Sequence, residues 1–112
     1  MMGKINGKML NSILCKLKED IHNLFNEVSD EVLNVAVCVS GETLSAEVGT
    51  GYPVKHFTIY GTTFIGYGSG GQGCEIHETE LEVLQKAMNL VYRSERKIHA
   101  WKLQSEKGAG GE

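Results

Sequence analysis

Cys74 and His77 stand three residues apart, where the last Gly-rich stretch gives way to an acidic, helix-forming run. A thiol at a helix entrance with an imidazole beside it can act as an activated nucleophile, because the helix N-terminus favours thiolate and the imidazole accepts a proton. The same C-x-x-H pair is also half of a zinc site. Glu75, Glu78, Glu80 and Glu82 crowd this segment and oppose thiolate formation, and no second ligand pair appears. A thiol enzyme built on Cys74 and His77 is therefore an alternative, with no catalytic residue and no metal ligand expected. Just upstream, Gly66-Tyr67-Gly68-Ser69-Gly70-Gly71 fits the G-x-G-x-x-G spacing that brings backbone amides against a pyrophosphate. Its context differs from a dinucleotide fold: the preceding strand belongs to a hairpin, and no parallel strand or ribose-binding acid follows the helix. The four glutamates would also repel a phosphate. A nucleotide or small ligand held by this loop and nearby Tyr and His side chains stays an alternative, and no cofactor is expected.

A second cluster lies near the C-terminus, where Arg93, Arg96, Lys97 and Trp101 could form a short basic face with one stacking ring. Residues 75–82 carry four acids and no base, whereas residues 86–107 carry six bases and two acids, a local charge of +4. Acids at the start and bases at the end of a helix complement its dipole without any ligand. Nucleic-acid binding through this end is thus disfavoured against helix stabilisation.

These residues need elements to hold them. Leu10, Ile13, Leu14, Leu17, Ile21, Leu24, Phe25 and Val28 recur at three- and four-residue steps and predict an amphipathic helix over residues 8–28. The period then changes to two: Leu33, Val35, Val37 and Val39 alternate with Asn34, Ala36, Cys38 and Ser40, and residues 43–48 alternate again. A Ser40-Gly41 turn would pair Val37 with Leu44, Val35 with Ala46 and Leu33 with Val48. Residues 49–53 read as a loop holding the chain's one proline, Pro53. A second hairpin turning at Gly61-Thr62 pairs Ile59 with Phe64, Phe57 with Gly66, Thr58 with Ile65 and His56 with Tyr67. The spacing of Thr79 and Glu82 fits a capping box. Leu81, Leu84, Met88, Val91 and Tyr92 continue as a helix, with Ile98 and Trp101 extending it. The expected fold is α+β: a four-stranded antiparallel sheet of two successive hairpins, with an N-terminal and a C-terminal helix packed on one face as a two-layer sandwich. Residues 1–104 would form one domain and residues 105–112 a flexible tail.

The order of helix, strands, Gly-rich turn and helix resembles the double-stranded-RNA-binding domain in outline. That family opens its last helix with a lysine cluster and has three strands. Here Glu75, Glu78, Glu80 and Glu82 occupy the corresponding place, so its RNA-contacting residues do not carry over.

Composition narrows the function classes. Of 112 residues, 41% are apolar and 22% charged, with a net charge of −3, which excludes a disordered charged tail or a nucleic-acid-coating protein. No run approaches the ~20 apolar residues of a membrane span. Three scattered cysteines do not form a disulfide framework and suit reduced thiols in a cytoplasmic protein. Between positions 32 and 74 only Glu42, Glu47 and Lys55 are charged. The alternation puts Asn34, Ala36, Cys38, Thr43, Ser45, Glu47, His56, Thr58, Tyr60, Ile65 and Tyr67 on the face away from the helices. Interface cores are depleted of charge and enriched in aromatic rings, so this face is a candidate contact surface. The candidate partner- or ligand-binding residues are Tyr52, His56, Thr58, Tyr60, Tyr67 and Ser69. These features point to a small non-enzymatic binding or regulatory protein that works through protein–protein contacts as a homo-oligomer, a dimer in the simplest case. A small inhibitor encoded by a phage or mobile element would fit that description.

Overall fold

The computed structural model describes residues 7–29, 31–52, 54–68, 73 and 75–110, with side chains described up to Trp101 and excluding Tyr52. In chain order the elements are α1 (Gly7–Phe25), β1 (Glu31–Ser40), β2 (Thr43–Tyr52), β3 (Val54–Ile59), β4 (Phe64–Gly68) and α2 (Glu78–Gly110). Each strand pairs antiparallel with the next, so the sheet is a meander in the order β1-β2-β3-β4. Both helices pack on one face of it, which makes the two-layer α+β arrangement expected from the change of period.

The core lies between the layers. Ile13, Leu17, Ile21 and Phe25 of α1 meet Val35, Leu44, Ala46, Val48, Phe57 and Ile59 of the sheet, and Val83, Leu84, Ala87, Val91 and Ile98 of α2. Phe57 is central, with its ring centroid 5.6 Å from that of Phe25 and 6.4 Å, edge-on, from that of Phe64. Leu81 and Tyr92 were expected on the inner stripe of α2 but remain substantially exposed. Val83 and Ala87, expected to widen that stripe, are buried, and the helix also turns Glu80 inward, where it has a partner in the sheet.

Three expected boundaries are corrected. The first hairpin turns at Gly41-Glu42, so Val37 pairs with Ala46, Val35 with Val48 and Val39 with Leu44. A shift of two residues keeps every side chain on its own face, so alternation alone does not distinguish the registers. Gly41 has φ +61° and no non-glycine residue among those described has positive φ. A glycine at the first central position, as in a type II′ turn, selects the observed register. Leu33 also departs from expectation: the ladder is irregular between Val32 and Asn34, and Leu33 points out with 63% exposure rather than pairing with Val48. Finally, residues 49–52 extend β2 rather than forming a loop, with Gly51 paired to Val54 and Thr50 to Lys55. The second hairpin has the expected register, from Ile59 with Phe64 to His56 with Tyr67.

The ends of α1 and α2 follow local chemistry. After Phe25 the amides of Glu27 and Val28 bond the carbonyls of Leu24 and Phe25, a tightened final turn that stops α1 before residue 28. At α2 the Glu80 carboxylate accepts from the His77 amide at 3.0 Å, while the His77 carbonyl accepts from Leu81 at 2.8 Å. The capping acid is therefore Glu80, not Glu82, and His77 is the capped residue rather than Thr79. The helical backbone runs on to Gly110, through the stretch read from sequence as a tail. No described helix is long and apolar enough to cross a membrane.

Candidate interaction surface

Among the described residues, the two helices leave the opposite face of the sheet bare. Strand pairing arranges that face in rows, because residues opposite each other in a ladder share a side. One row runs Asn34, Gly49, His56, Tyr67 and the next Ala36, Glu47, Thr58, Ile65, each crossing all four strands. Cys38 and Ser45 begin a third. Ile65, Tyr67 and Val54 are 44%, 41% and 54% exposed, and Asn34, Ala36 and Cys38 are also exposed. A Cβ at Gly49 would meet nothing closer than Asn34 Oδ1 at 3.9 Å and His56 Nδ1 at 4.0 Å. The missing side chain therefore leaves a shallow dip in the middle of the first row.

The three charged residues of the sheet region have separate fates. Glu42 sits in the β1–β2 turn, and its carboxylate lies 2.7 Å from His99 Nδ1 on α2. Lys55 points inward and is buried. Only Glu47 remains on the central bare face, with His56 Nε2 at 3.5 Å. A sheet face meeting water normally carries alternating polar and charged side chains; this one carries small polar groups, aliphatic groups, a tyrosine, a histidine and a single carboxylate. Glu31 lies at its margin, its side chain folded across the space that a Cβ on Gly51 would need.

Lys55 and Glu80 form the one buried ion pair among the described residues. The Lys55 ammonium donates to both Glu80 oxygens, at 2.6 and 2.8 Å, and to the Glu75 carbonyl at 2.9 Å. All three of its protons are used, as are the Thr50 hydroxyl and the Lys55 backbone, which bond each other. Burial pushes the Glu80 carboxyl up, but the Lys55 hydrogen bond, the His77 amide and the charges of Lys55 and His77 outweigh it and hold the group below its ordinary value. This cluster fastens the start of α2 to β3. Sequence reading missed it, although Lys55 is in phase with Phe57 and Ile59 and so had to point inward. At the other end of the sheet, Glu95 Oε2 accepts from the Leu44 amide at 2.7 Å, and the β3–β4 turn rests at Gly61 against Tyr92. The sheet is thus clamped to α2 at both ends.

The remaining expected site residues are dispersed. His56, Thr58 and Tyr67 share the bare face, whereas Tyr60 lies in the β3–β4 turn, its amide bonded to the Thr63 carbonyl. The backbone of Tyr52 pairs with Glu31 at the end of β2. Ser69 and Cys74 lie outside the described residues; of the Gly-rich stretch, Gly73 makes a bridge to Tyr67. His77 is exposed at the start of α2. On α2, Arg93 is exposed, Arg96 lies over the Tyr92 ring at 5.6 Å, and Lys97 over Trp101 at 6.0 Å. Trp101 packs partly against the core and lines a groove of about 260 Å³ between α1 and α2, with Ile13, Lys16 and Leu90. No group of three His, Cys, Asp or Glu side chains among the described residues is placed to hold a metal ion. No protein-family model matches the chain, and neither a characterised protein nor a solved structure matches it significantly.

Proposed function

We propose that this protein is a small non-enzymatic binding or regulatory protein that acts through protein–protein contacts as a homo-oligomer, with the bare sheet face as a contact between copies. The observation that carries this reading is the single central carboxylate on a face four strands wide, beside exposed Ile65, Tyr67 and Val54. Removing that face from water desolvates little charge, and depletion of charge with retention of aromatic surface is the composition of interface cores. The face is also self-compatible. Glu47 and His56 are neighbours, so a two-fold arrangement can set the Glu47 of each copy against the His56 of the other.

Four strands about 4.8 Å apart and seven residues at about 3.3 Å each make a patch of roughly 19 by 23 Å. Two such patches bury on the order of 900 Å², just short of the ~1,000 Å² that a specific interface normally clears, so the face contact by itself is a weak one. Ile65→Asp places a charge on this patch, at the β4 end of the Ala36-Glu47-Thr58-Ile65 row, without touching the core. Light scattering at high micromolar concentration should show more than one chain for the wild type and a lower mass for Ile65→Asp, with an unchanged circular dichroism spectrum. A wild type that runs as a single chain ends the homo-oligomer reading.

A further inference from the structure

The sheet has two edges, and among the described residues only one of them is protected. β4 has five residues, two of them glycine, and the chain returns to bridge Tyr67 with Gly73. β1 has ten residues, and from Val32 to Ser40 it carries no charge, no proline and no lysine. Proteins normally blunt a long apolar edge with such residues, because its free amides and carbonyls template pairing with another chain. The irregularity on β1 is confined to Val32–Asn34, leaving Asn34–Ser40 in regular register with β2. The side chains of this edge are also incompletely covered. Val39 points to the helix side yet is 40% exposed, and Val37 is half-buried.

We propose that β1 pairs antiparallel with β1 of a second copy, joining two sheets into one continuous eight-stranded sheet. This rests on the homo-oligomer reading above and adds a second interface to it. Centring the pairing on Val37, the middle of the regular stretch, sets Val37 against its own mate, Val35 against Val39, Ala36 against Cys38 and Asn34 against Ser40. The valines then meet on the helix side and the small polar residues on the bare side, and no charge opposes a like charge. The arrangement is isologous and uses up the unprotected edge, so it closes instead of growing into a fibre. It also supplies area that the bare face lacks: two copies joined along β1 present a face twice as wide. With the face contact, four chains assemble around perpendicular two-fold axes.

Val39→Lys blunts the edge from the helix side and leaves the bare face unaltered, whereas Ile65→Asp alters the face and leaves the edge. The wild type should have the mass of four chains, and each variant should halve it. A Val37→Cys protein in a background with Cys15, Cys38 and Cys74 replaced by Ser should form a covalent dimer under mild oxidation, independently of how Val39→Lys folds. If Val39→Lys keeps the wild-type mass and Val37→Cys gives no covalent dimer, edge pairing is wrong, while a fall in mass for Ile65→Asp still supports the face contact. If Val39→Lys halves the mass and Ile65→Asp has no effect, the edge stands and the face contact fails. A single-chain wild type overturns both.

Discussion

Breaking the Lys55–Glu80 pair should destabilise the protein far more than any surface ion pair in it. Lys55 and Glu80 are 8% and 7% exposed, and in Lys55→Met the Glu80 carboxylate stays buried with only the His77 amide to satisfy it. Removing one partner of a buried pair costs about 3–5 kcal/mol, because the other charge is left unpaired. A domain of this size has only about 5–15 kcal/mol of stability in total. Glu80→Gln should cost a similar amount, since the Lys55 ammonium then loses its counter-charge. In the double variant no buried charge remains and the new amide side chain can still accept from the His77 amide, so its cost should fall well below the sum of the two single costs. Urea unfolding followed by circular dichroism, with the m-value checked for constancy, measures all four corners of this cycle. The same pair fixes a pH dependence. Glu80 is held below its ordinary value of 4.5 when folded, so the unfolded chain takes up a proton first as pH falls. The stabilisation is complete above that value and is lost as pH drops through the folded value, and Glu80→Gln should flatten this part of the curve. Single-variant costs under about 1 kcal/mol, the range of exposed pairs, or strictly additive costs, would refute the claim that the buried charges depend on one another.

The other clamp gives two smaller expectations. A Cβ on Gly61 would stand 3.2 Å from Tyr92 Cα and 3.3 Å from Glu95 Oε1, so Gly61→Ala must lift the turn off the helix backbone, at about 1–3 kcal/mol in thermal melts. Gly51→Ala meets only the movable, exposed Glu31 side chain and should stay within about 0.5 kcal/mol; equal effects of the two would show that the turn does not rest on α2. Glu95→Ala removes the carboxylate that accepts from the Leu44 amide and should cost about 1.5–3 kcal/mol by urea unfolding, with faster hydrogen exchange at Leu44. Unchanged exchange there would mean that β2 does not rely on this bond.

The layers and faces were legible because two periods in the sequence are fixed by geometry: 3.6 for Ile13, Leu17, Ile21 and Phe25, and two for Val35, Val37, Leu44, Ala46 and Val48. Register was legible only where the turn was placed correctly. The Gly61-Thr62 placement yields the observed pairing of Ile59 with Phe64, although Gly61 itself has no positive φ. Ser40-Gly41 puts the glycine second, whereas the chain turns at Gly41-Glu42 with Gly41 at positive φ. The misplaced capping box has a different origin. Thr79 with Glu82 and His77 with Glu80 have the same spacing, and helix propensity does not choose between them. The choice is made by Lys55, twenty-five residues earlier, which needs a carboxylate beneath the sheet and draws Glu80 inward. Contacts that distant in sequence leave no local signature.

Placing Lys55 inside the fold also changes what the low charge of the sheet region means. Three charged residues spread over both sides of a four-stranded sheet would be ordinary. With Lys55 buried against Glu80 and Glu42 held at the turn by His99, the bare face keeps only Glu47 at its centre. The folded core did not require this, because the outward positions of β1 to β4 take no part in it. Lysines or glutamates at Ala36, Thr58 or Ile65 would have been compatible with the same two-layer packing and would have protected both the face and the neighbouring edge from association. Stability does not explain leaving them out, whereas the proposed contact with another copy would.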